Sequence, residues 1–186
     1  MTGQFTMHIT SSFVIGLIFA FPYVFWEIWR FISPGLYSEE RKISRGAVFY
    51  VTLLFLTGVS FGYFVMAPLA VNFLSNYQVS ELVTNEFDIT SYVSTVSMLV
   101  LGSGLLFQLP IVVYFLSKVG LVTPALMRTY RKHAIVVILA LGALLTPPDP
   151  LSQILIAIPL FGLYEFSIMI SGRVIRKQER LAKTEE

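Results

Sequence analysis

Lysine and arginine occur in this chain only in three clusters, and the long stretches between the clusters are almost purely apolar. The first cluster is Arg30, Arg41, Lys42 and Arg45, the second is Lys118, Arg128, Arg131 and Lys132, and the third is Arg173, Arg176, Lys177, Arg180 and Lys183. Loops rich in Lys and Arg beside membrane-spanning helices stay on the cytoplasmic side. The pattern therefore predicts an integral membrane protein with all three clusters on its cytoplasmic face.

The loops between the clusters carry acids and no bases. Glu81, Glu86 and Asp88 lie in one of these loops and Asp149 in another, so both are predicted to face the outside. The composition agrees, because 55% hydrophobic and 13% charged residues, with a mean hydropathy of +0.75, are typical of a membrane protein. The net charge of +2 comes from membrane-flanking loops and does not indicate nucleic-acid binding.

Several kinds of site are excluded by what the sequence lacks. The chain has no cysteine, so neither a disulfide framework nor a thiolate metal site can form. His8 and His133 stand alone, without neighbouring ligand residues, and no metal site is predicted. The sequence contains no phosphate-binding glycine motif and no nucleophile–base arrangement. We therefore expect a protein that needs no cofactor and is not an enzyme.

Five apolar segments are predicted to cross the membrane within a single membrane domain, residues 1–186. A bilayer core of about 30 Å needs roughly 20 helical residues, and the first three segments reach that length. The predicted spans are residues 8–29, 46–69, 91–117, 134–146 and 151–171. The acidic segment 71–90 is expected to fold as a cap on the outer face, and residues 173–186 form a cytoplasmic tail.

The last two predicted spans are short and are joined by a proline-rich turn. Residues 146–150, with the sequence TPPDP, interrupt the apolar run because proline cannot continue a helix. The apolar segment before them, 134–145, measures only about 18 Å at 1.5 Å per residue. We expect this hairpin to thin the membrane locally or to lie against a water-filled recess.

The predicted sidedness gives an N-terminus on the outside and a C-terminus in the cytoplasm. The first seven residues contain no basic start and no small-residue cleavage site, so they are not a secretory signal peptide. Our hypothesis is that Met1 is an internal methionine and that an N-terminal span with its cytoplasmic start is absent from this chain.

Two local patterns predict contacts within the bundle. Glu27 and Arg30 are one helical turn apart at the inner boundary and are expected to form a local pair. Gly58, Ser60 and Gly62 form a small-residue pattern that is expected to let spans of the same chain approach closely.

Four motifs occur in one order along the chain. FISPGLYSEERK, residues 31–42, lies in the first cytoplasmic loop, and it is followed by FVMAPL at 64–69, FQLP at 107–110 and TPPDPLSQ at 146–153. Together these motifs resemble the TatC family, the multispanning receptor subunits of the twin-arginine translocase. The likeness covers nearly the whole chain, and the last motif is quite specific.

The resemblance implies an all-α, polytopic transmembrane helix bundle. TatC-like proteins have six spans with both termini in the cytoplasm, so the five spans here look like that fold without its first span. The implied function is binding of signal peptides with paired arginines and export of folded proteins across the bacterial cytoplasmic membrane, driven by the proton gradient. The implied partners are small single-span subunits of the TatA/TatB type, the lipid bilayer and further copies of the chain within the complex.

The resemblance also implies a signal-peptide site in the first cytoplasmic loop. Glu40 matches the family's loop glutamate and would accept bidentate, charge-assisted hydrogen bonds from an arginine pair, with Glu39 adding a second negative charge. Phe31 matches the family's loop phenylalanine, and Tyr37 flanks the same loop. The alternatives are that both acids are solvated and neutralised by the basic residues after them, and that the aromatic rings are interfacial anchors.

Four further polar residues are candidates within or beside the membrane. Gln108 lies in the third span, where relatives commonly carry glutamate, and an amide there must find a partner or water; a hydrogen bond to Ser103 or another buried hydroxyl is the alternative. Glu165 in the last span is either a structural ion or hydrogen-bond partner or a functional polar contact. Thr146 and Gln153 match a patch that receives a TatA/TatB-type helix, or they cap the turn.

Two other functions remain open from the sequence. A small-solute or ion transporter would use Gln108 and Glu165 to line a polar path, although the chain shows no internal repeat of the kind such transporters have. A structural membrane subunit or an inactive fragment would need none of the candidate residues.

Overall fold

The computed structural model describes residues 2–32, 44–76, 88–145 and 150–185. All regular structure in these ranges is helical, which confirms the predicted all-α class. The elements are α1 (Thr2–Ile32), α2 (Ser44–Phe61), a π-helical segment (Gly62–Met66), α3 (Ala67–Asn76), α4 (Ile89–Leu106), α5 (Leu109–Lys118), α6 (Pro124–Thr129), α7 (Arg131–Leu145) and α8 (Pro150–Glu185).

Within the described ranges, four helical stretches are long and apolar enough to cross a membrane. They are Gly3–Ile28, Val48–Asn76, Ile89–Lys118 and Ile156–Gln178. Helix α7 is also apolar, but its 15 residues are fewer than the roughly 20 that an undistorted bilayer core requires, so α7 remains a predicted span. Large apolar side chains such as Phe19 and Phe64 are mostly exposed, as expected for helix surfaces that face lipid.

The helices form two compact units, Met1–Leu105 and Leu106–Glu186. The first unit contains α1 to α3 and nearly all of α4, and the second contains α5 to α8. The predicted single membrane domain, with its outer cap and cytoplasmic tail, remains a prediction.

Two helices of the first unit approach each other closely at the π-helical segment. A Cβ atom on Gly62 would lie 2.8 Å from the carbonyl oxygen of Leu99 and from the Cα of Val100, so only glycine leaves room for the neighbouring backbone. Beside this crossing, the ring of Phe21 stacks on that of Phe55 with 3.6 Å between centroids. The close approach confirms at Gly62 the role expected of the small-residue pattern.

A turn at Phe107 and Gln108 separates α4 from α5. The Gln108 carbonyl accepts hydrogen bonds from the backbone N–H groups of Ile111 at 3.0 Å and Val112 at 3.1 Å. Pro110 lies in the first turn of α5, where its missing N–H costs no helical hydrogen bond. The FQLP motif therefore starts a new helix inside the third predicted span.

Helix α5 ends in a turn that requires glycine. Gly120 has a φ of 81°, a left-handed conformation in which other residues are strained. The N–H of Gly120 donates to the carbonyl of Ser117 at 3.1 Å, and the N–H of Leu121 donates to the carbonyl of Leu116 at 2.9 Å. This pair of bonds is a Schellman cap, and it turns the chain from α5 towards α6.

The start of α6 follows from Thr123 and Pro124. The Thr123 hydroxyl oxygen accepts a hydrogen bond from the N–H of Leu126 at 3.2 Å, and Pro124 occupies the first turn. An N-cap threonine followed by proline is a favourable helix start. Helix α6 is thereby placed beside α8, where a Cβ atom on Gly172 would lie 3.8 Å from the Cγ of Pro124.

Candidate functional site

The predicted signal-peptide loop falls mainly in a part of the chain that the structure does not describe. Tyr37, Glu39 and Glu40 lie outside the described residues, as does Thr146 of the outer turn. Phe31 belongs to the last turn of α1, but its side chain is likewise outside the described part. The roles of these residues remain predictions.

The predicted pair at the end of α1 is present. Arg30 Nη1 lies 3.7 Å from Glu27 Oε1, and the two side chains are 73% and 43% exposed. An ion pair this exposed contributes little to stability. Glu27 and Arg30 therefore form the local pair that their spacing predicts.

The side-chain amide of Gln153, near the start of α8, links the two helices of the α7–α8 hairpin. Gln153 Nε2 donates a hydrogen bond to the Leu139 carbonyl oxygen at 2.9 Å. Gly142 lies beside Gln153, since a Cβ atom on this glycine would be in ordinary contact with Gln153 Cγ at 3.6 Å. The hydrogen bond orients the amide and links α8 to the backbone of α7.

At the other end of the hairpin, an ion pair joins the same two helices. Arg131 Nη2 donates to Glu165 Oε2 at 2.8 Å, with the side chains 45% and 34% exposed. A charge-assisted hydrogen bond of this length is among the stronger polar contacts in proteins. The cost of a carboxylate in a membrane helix is therefore offset by a specific partner on α7.

Tyr164, the residue before Glu165, forms a hydrogen bond to helix α6. The hydroxyl of Tyr164 donates to the carbonyl oxygen of Met127 at 2.7 Å. Because the last carbonyls of a helix have no partner within it, this bond also satisfies the end of α6. Tyr164 and Glu165 thus bind α6 and α7 to adjacent positions of α8.

Two buried serines join α5 to α8. Ser117 Oγ donates to Ser171 Oγ at 2.7 Å, and both side chains are fully buried. In the first unit, buried Ser103 Oγ forms no hydrogen bond with any residue that the structure describes. The interpretations of Gln108 stay predictions. Gln108 itself is half-buried at the turn between α4 and α5.

The sequence alone points to Glu165 but not to its partner. The register of an antiparallel hairpin would have indicated it, because Arg131 and Glu165 each lie 17 positions from Pro148 in the turn. Ser117, Tyr164 and Ser171 carry no comparable signal, since a single hydroxyl in an apolar segment does not show which helix it faces.

The polar groups of the second unit therefore join helices. Among the described residues, no group of three or more His, Cys, Asp or Glu side chains could hold a metal ion. Together with the apolar helix surfaces, these contacts define a multi-pass helical membrane protein whose interior polar groups fix a short hairpin against the helices beside it.

The comparisons with known proteins identify the family. A family model described as Sec-independent protein translocase protein (TatC) matches residues 1–159. The chain belongs to the TatC family, as the four sequence motifs predicted.

Relatives and solved structures agree with this assignment. Sec-independent protein translocase protein TatC of Blattabacterium (strain BPLAN) is 43% identical over 176 residues, which are 95% of this chain and 66% of that protein. The Helicobacter pylori (strain J99) protein of the same name is 43% identical over 163 residues, 88% of this chain and 65% of that one. This chain thus spans about two thirds of the length of these curated relatives.

A solved structure shares the fold. The crystal structure of the twin arginine translocase receptor TatC in DDM matches with a TM-score of 0.77 and 38% identity, over 90% of this chain and 74% of that one. This match confirms the predicted TatC-like membrane fold.

Proposed function

We propose that this chain is the receptor and core subunit of a twin-arginine translocase in a bacterial cytoplasmic membrane. It binds signal peptides with paired arginines on its cytoplasmic face and helps to export folded proteins by use of the proton motive force. The observation that carries the proposal is the match to a solved twin arginine translocase receptor, at a TM-score of 0.77 over 90% of this chain.

The chemistry of the first cytoplasmic loop supports this ligand. Glu40 supplies a carboxylate for the guanidinium groups of the signal, and Glu39 increases the local negative charge. An arginine fork matches a carboxylate in bidentate geometry, whereas lysine is a point charge. Phe31 and Tyr37 offer apolar surface to the arginine stems and to the hydrophobic part of the signal. The loop therefore distinguishes a signal peptide with paired arginines from one with paired lysines, and a positively charged signal from an uncharged one.

The α7–α8 hairpin supports a second interaction, with the membrane helix of a TatA/TatB-type subunit. Gln153 is oriented by its hydrogen bond to the Leu139 carbonyl, and Thr146 lies near it in sequence. Polar side chains at a lipid-facing helix surface are stabilised by a hydrogen bond to a partner helix. The short α7 and its turn then form the outer end of the docking surface, and further copies of the chain complete the complex.

Site-specific photocrosslinking tests the receptor role. A photoreactive residue in place of Phe31 or Glu40 is expected to crosslink to a twin-arginine signal peptide in membranes, and the crosslink is expected to disappear when both arginines become lysine. The same residue in place of Lys132, in another cytoplasmic cluster, is the control and should give no signal-dependent product. Equal crosslinking to the arginine and lysine peptides would contradict the proposal.

A further inference from the structure

A cleft of about 580 Å³ opens between α6 and α8. Its polar lining consists of three arginines, Arg128 on α6 and Arg173 and Arg176 on α8. Ile168 and Met169 line it as well. The cleft therefore combines a cationic part with an apolar part.

No carboxylate that the structure describes is paired with the three arginines. Within the part of the chain that the structure describes, none of them forms a salt bridge, and no carboxylate lines the cleft. Arg131 contrasts with them, since it is paired with Glu165 at 2.8 Å. Three like charges around one cleft repel each other and create a positive potential that favours an anionic ligand.

The cleft is held in shape by contacts already in the fold. The Tyr164 hydroxyl bonds the Met127 carbonyl at 2.7 Å, and Thr123 caps the start of α6. Gly172 and Pro124 both line the cleft, and a Cβ atom on Gly172 would be in ordinary contact with Pro124 Cγ at 3.8 Å. A cleft formed between two fixed helices needs little ordering when a ligand binds.

The order of residues along α8 indicates what kind of anion fits. Met169 is 55% exposed and precedes Arg176 by seven positions, about 10 Å along a helix. On α8, Ile168 and Met169 precede both arginines, which lie towards the basic end that is predicted to be cytoplasmic, and Ile175 lies between the two arginines. A membrane lipid has the same arrangement, with its acyl chain inside and its phosphate at the boundary.

We propose that this cleft is a binding site for the phosphate head group of an anionic membrane lipid. The guanidinium groups of Arg128, Arg173 and Arg176 hold the phosphate oxygens through charge-assisted hydrogen bonds, and one acyl chain lies along Ile168 and Met169. Basic pockets beside membrane helices on the cytoplasmic side suit such head groups. The cleft differs from the proposed signal-peptide site in charge, because a peptide with two arginines is repelled here.

Lipid binding to the purified 186-residue chain in detergent micelles tests the proposal. Phosphatidylglycerol and phosphatidylcholine with identical acyl chains are titrated separately, and bound lipid is counted by native mass spectrometry. We expect tighter binding of phosphatidylglycerol and about five-fold weaker binding for each of Arg128→Gln, Arg173→Gln and Arg176→Gln, the factor that corresponds to about 1 kcal/mol per basic residue at an anionic surface. The matched control is Lys177→Gln, which removes an exposed charge of α8 that does not line the cleft.

Three results would overturn the proposal. Equal affinity for the two lipids would show that the net negative charge of the head group does not matter. An equal loss in Lys177→Gln would show that the effect is one of general surface charge. Displacement of bound lipid by millimolar inorganic phosphate would assign the cleft to a free anion. Helical circular dichroism is recorded for every variant, and if one fails to fold, the other two single substitutions decide the outcome.

Discussion

Glu165 is a carboxylate in a membrane helix. Its ion pair with Arg131 determines how much this charge lowers the stability of the fold. Glu165→Gln leaves the Arg131 guanidinium without its 2.8 Å partner. We expect the variant to lower the free energy of unfolding by about 1–2 kcal/mol, between the values for surface and buried pairs. Thermal unfolding in detergent measures the change, and the double variant with Arg131→Gln should recover part of it.

Glu27→Gln is the control for this prediction, because it removes an exposed pair at 3.7 Å. Its expected effect is within about 0.5 kcal/mol of zero. A loss in Glu165→Gln no larger than that in Glu27→Gln would show that the Arg131 contact does not stabilise the hairpin.

Gln153 is expected to contribute both to stability and to partner binding. Gln153→Leu removes the hydrogen bond to the Leu139 carbonyl and should cost about 1 kcal/mol of unfolding free energy. Co-purification with a TatA/TatB-type subunit should fall in the same variant. Gln178→Leu is the control, since it also removes an amide bond to a backbone carbonyl, that of Lys118, at an exposed position. Unchanged co-purification in Gln153→Leu would remove Gln153 from the proposed docking surface.

Individual residues differ in how far their contacts could be foreseen. The Glu27–Arg30 pair was predictable because both partners lie on one helix, one turn apart. Arg131 was not identified as the partner of Glu165, because this contact depends on the register of the hairpin. The Tyr164 and Ser117 contacts depend on how whole helices rotate against each other, which the apolar composition of the spans leaves undetermined.

At the level of elements, the crossing of the π-helical segment with α4 depends on Gly62. A Cβ there would lie 2.8 Å from backbone atoms of α4, which cannot move as a flexible side chain can. We expect Gly62→Val to lower the free energy of unfolding by about 2–3 kcal/mol through overpacking. Gly162→Ala on α8 is the control, because nothing lies within 4 Å of its added Cβ, and it should be neutral or slightly stabilising. Similar Tm values for Gly62→Val and the unmodified chain would contradict this close approach.

The limits of the elements follow composition only in part. Helix α3 continues to Asn76, into the segment assigned to the outer cap, and α8 continues to Glu185, through the segment assigned to the tail. Hydrophobicity marks where a helix leaves the membrane, but it does not mark where the helix ends. The Glu, Lys, Arg and Gln residues after Ser171 are good helix formers, so α8 continues beyond its apolar part. The break at Phe107 and Gln108 follows from Pro110, which a sequence does show.

At the level of the whole molecule, the distribution of charge predicts the orientation in the membrane. The chain has no cysteine, so single introduced cysteines report their side without interference. We expect Asn76→Cys to react with a membrane-impermeant maleimide only from outside, and Val119→Cys and Lys177→Cys only from the cytoplasm. Ser117→Cys, at a fully buried position, is the unreactive control. The opposite pattern would reverse the orientation and place the proposed signal-peptide loop on the wrong side.

The membrane class and the family were predictable from the sequence, because clustered bases between apolar segments and four ordered motifs are properties of the chain alone. The polar contacts within the second unit and the arginine-lined cleft required the structure, since they bring together residues from α6, α7 and α8.

Binding of a twin-arginine signal peptide tests the central claim most directly. The affinity of a fluorescent peptide for the chain in lipid nanodiscs is measured with arginine and lysine pairs, for the unmodified chain, Glu40→Gln and the control Glu27→Gln. The receptor account predicts that Glu40→Gln weakens binding of the arginine peptide at least about ten-fold, as expected for loss of a charge-assisted hydrogen bond, and abolishes the preference for arginine. Equal affinity for both peptides, together with no effect of Glu40→Gln, would contradict it.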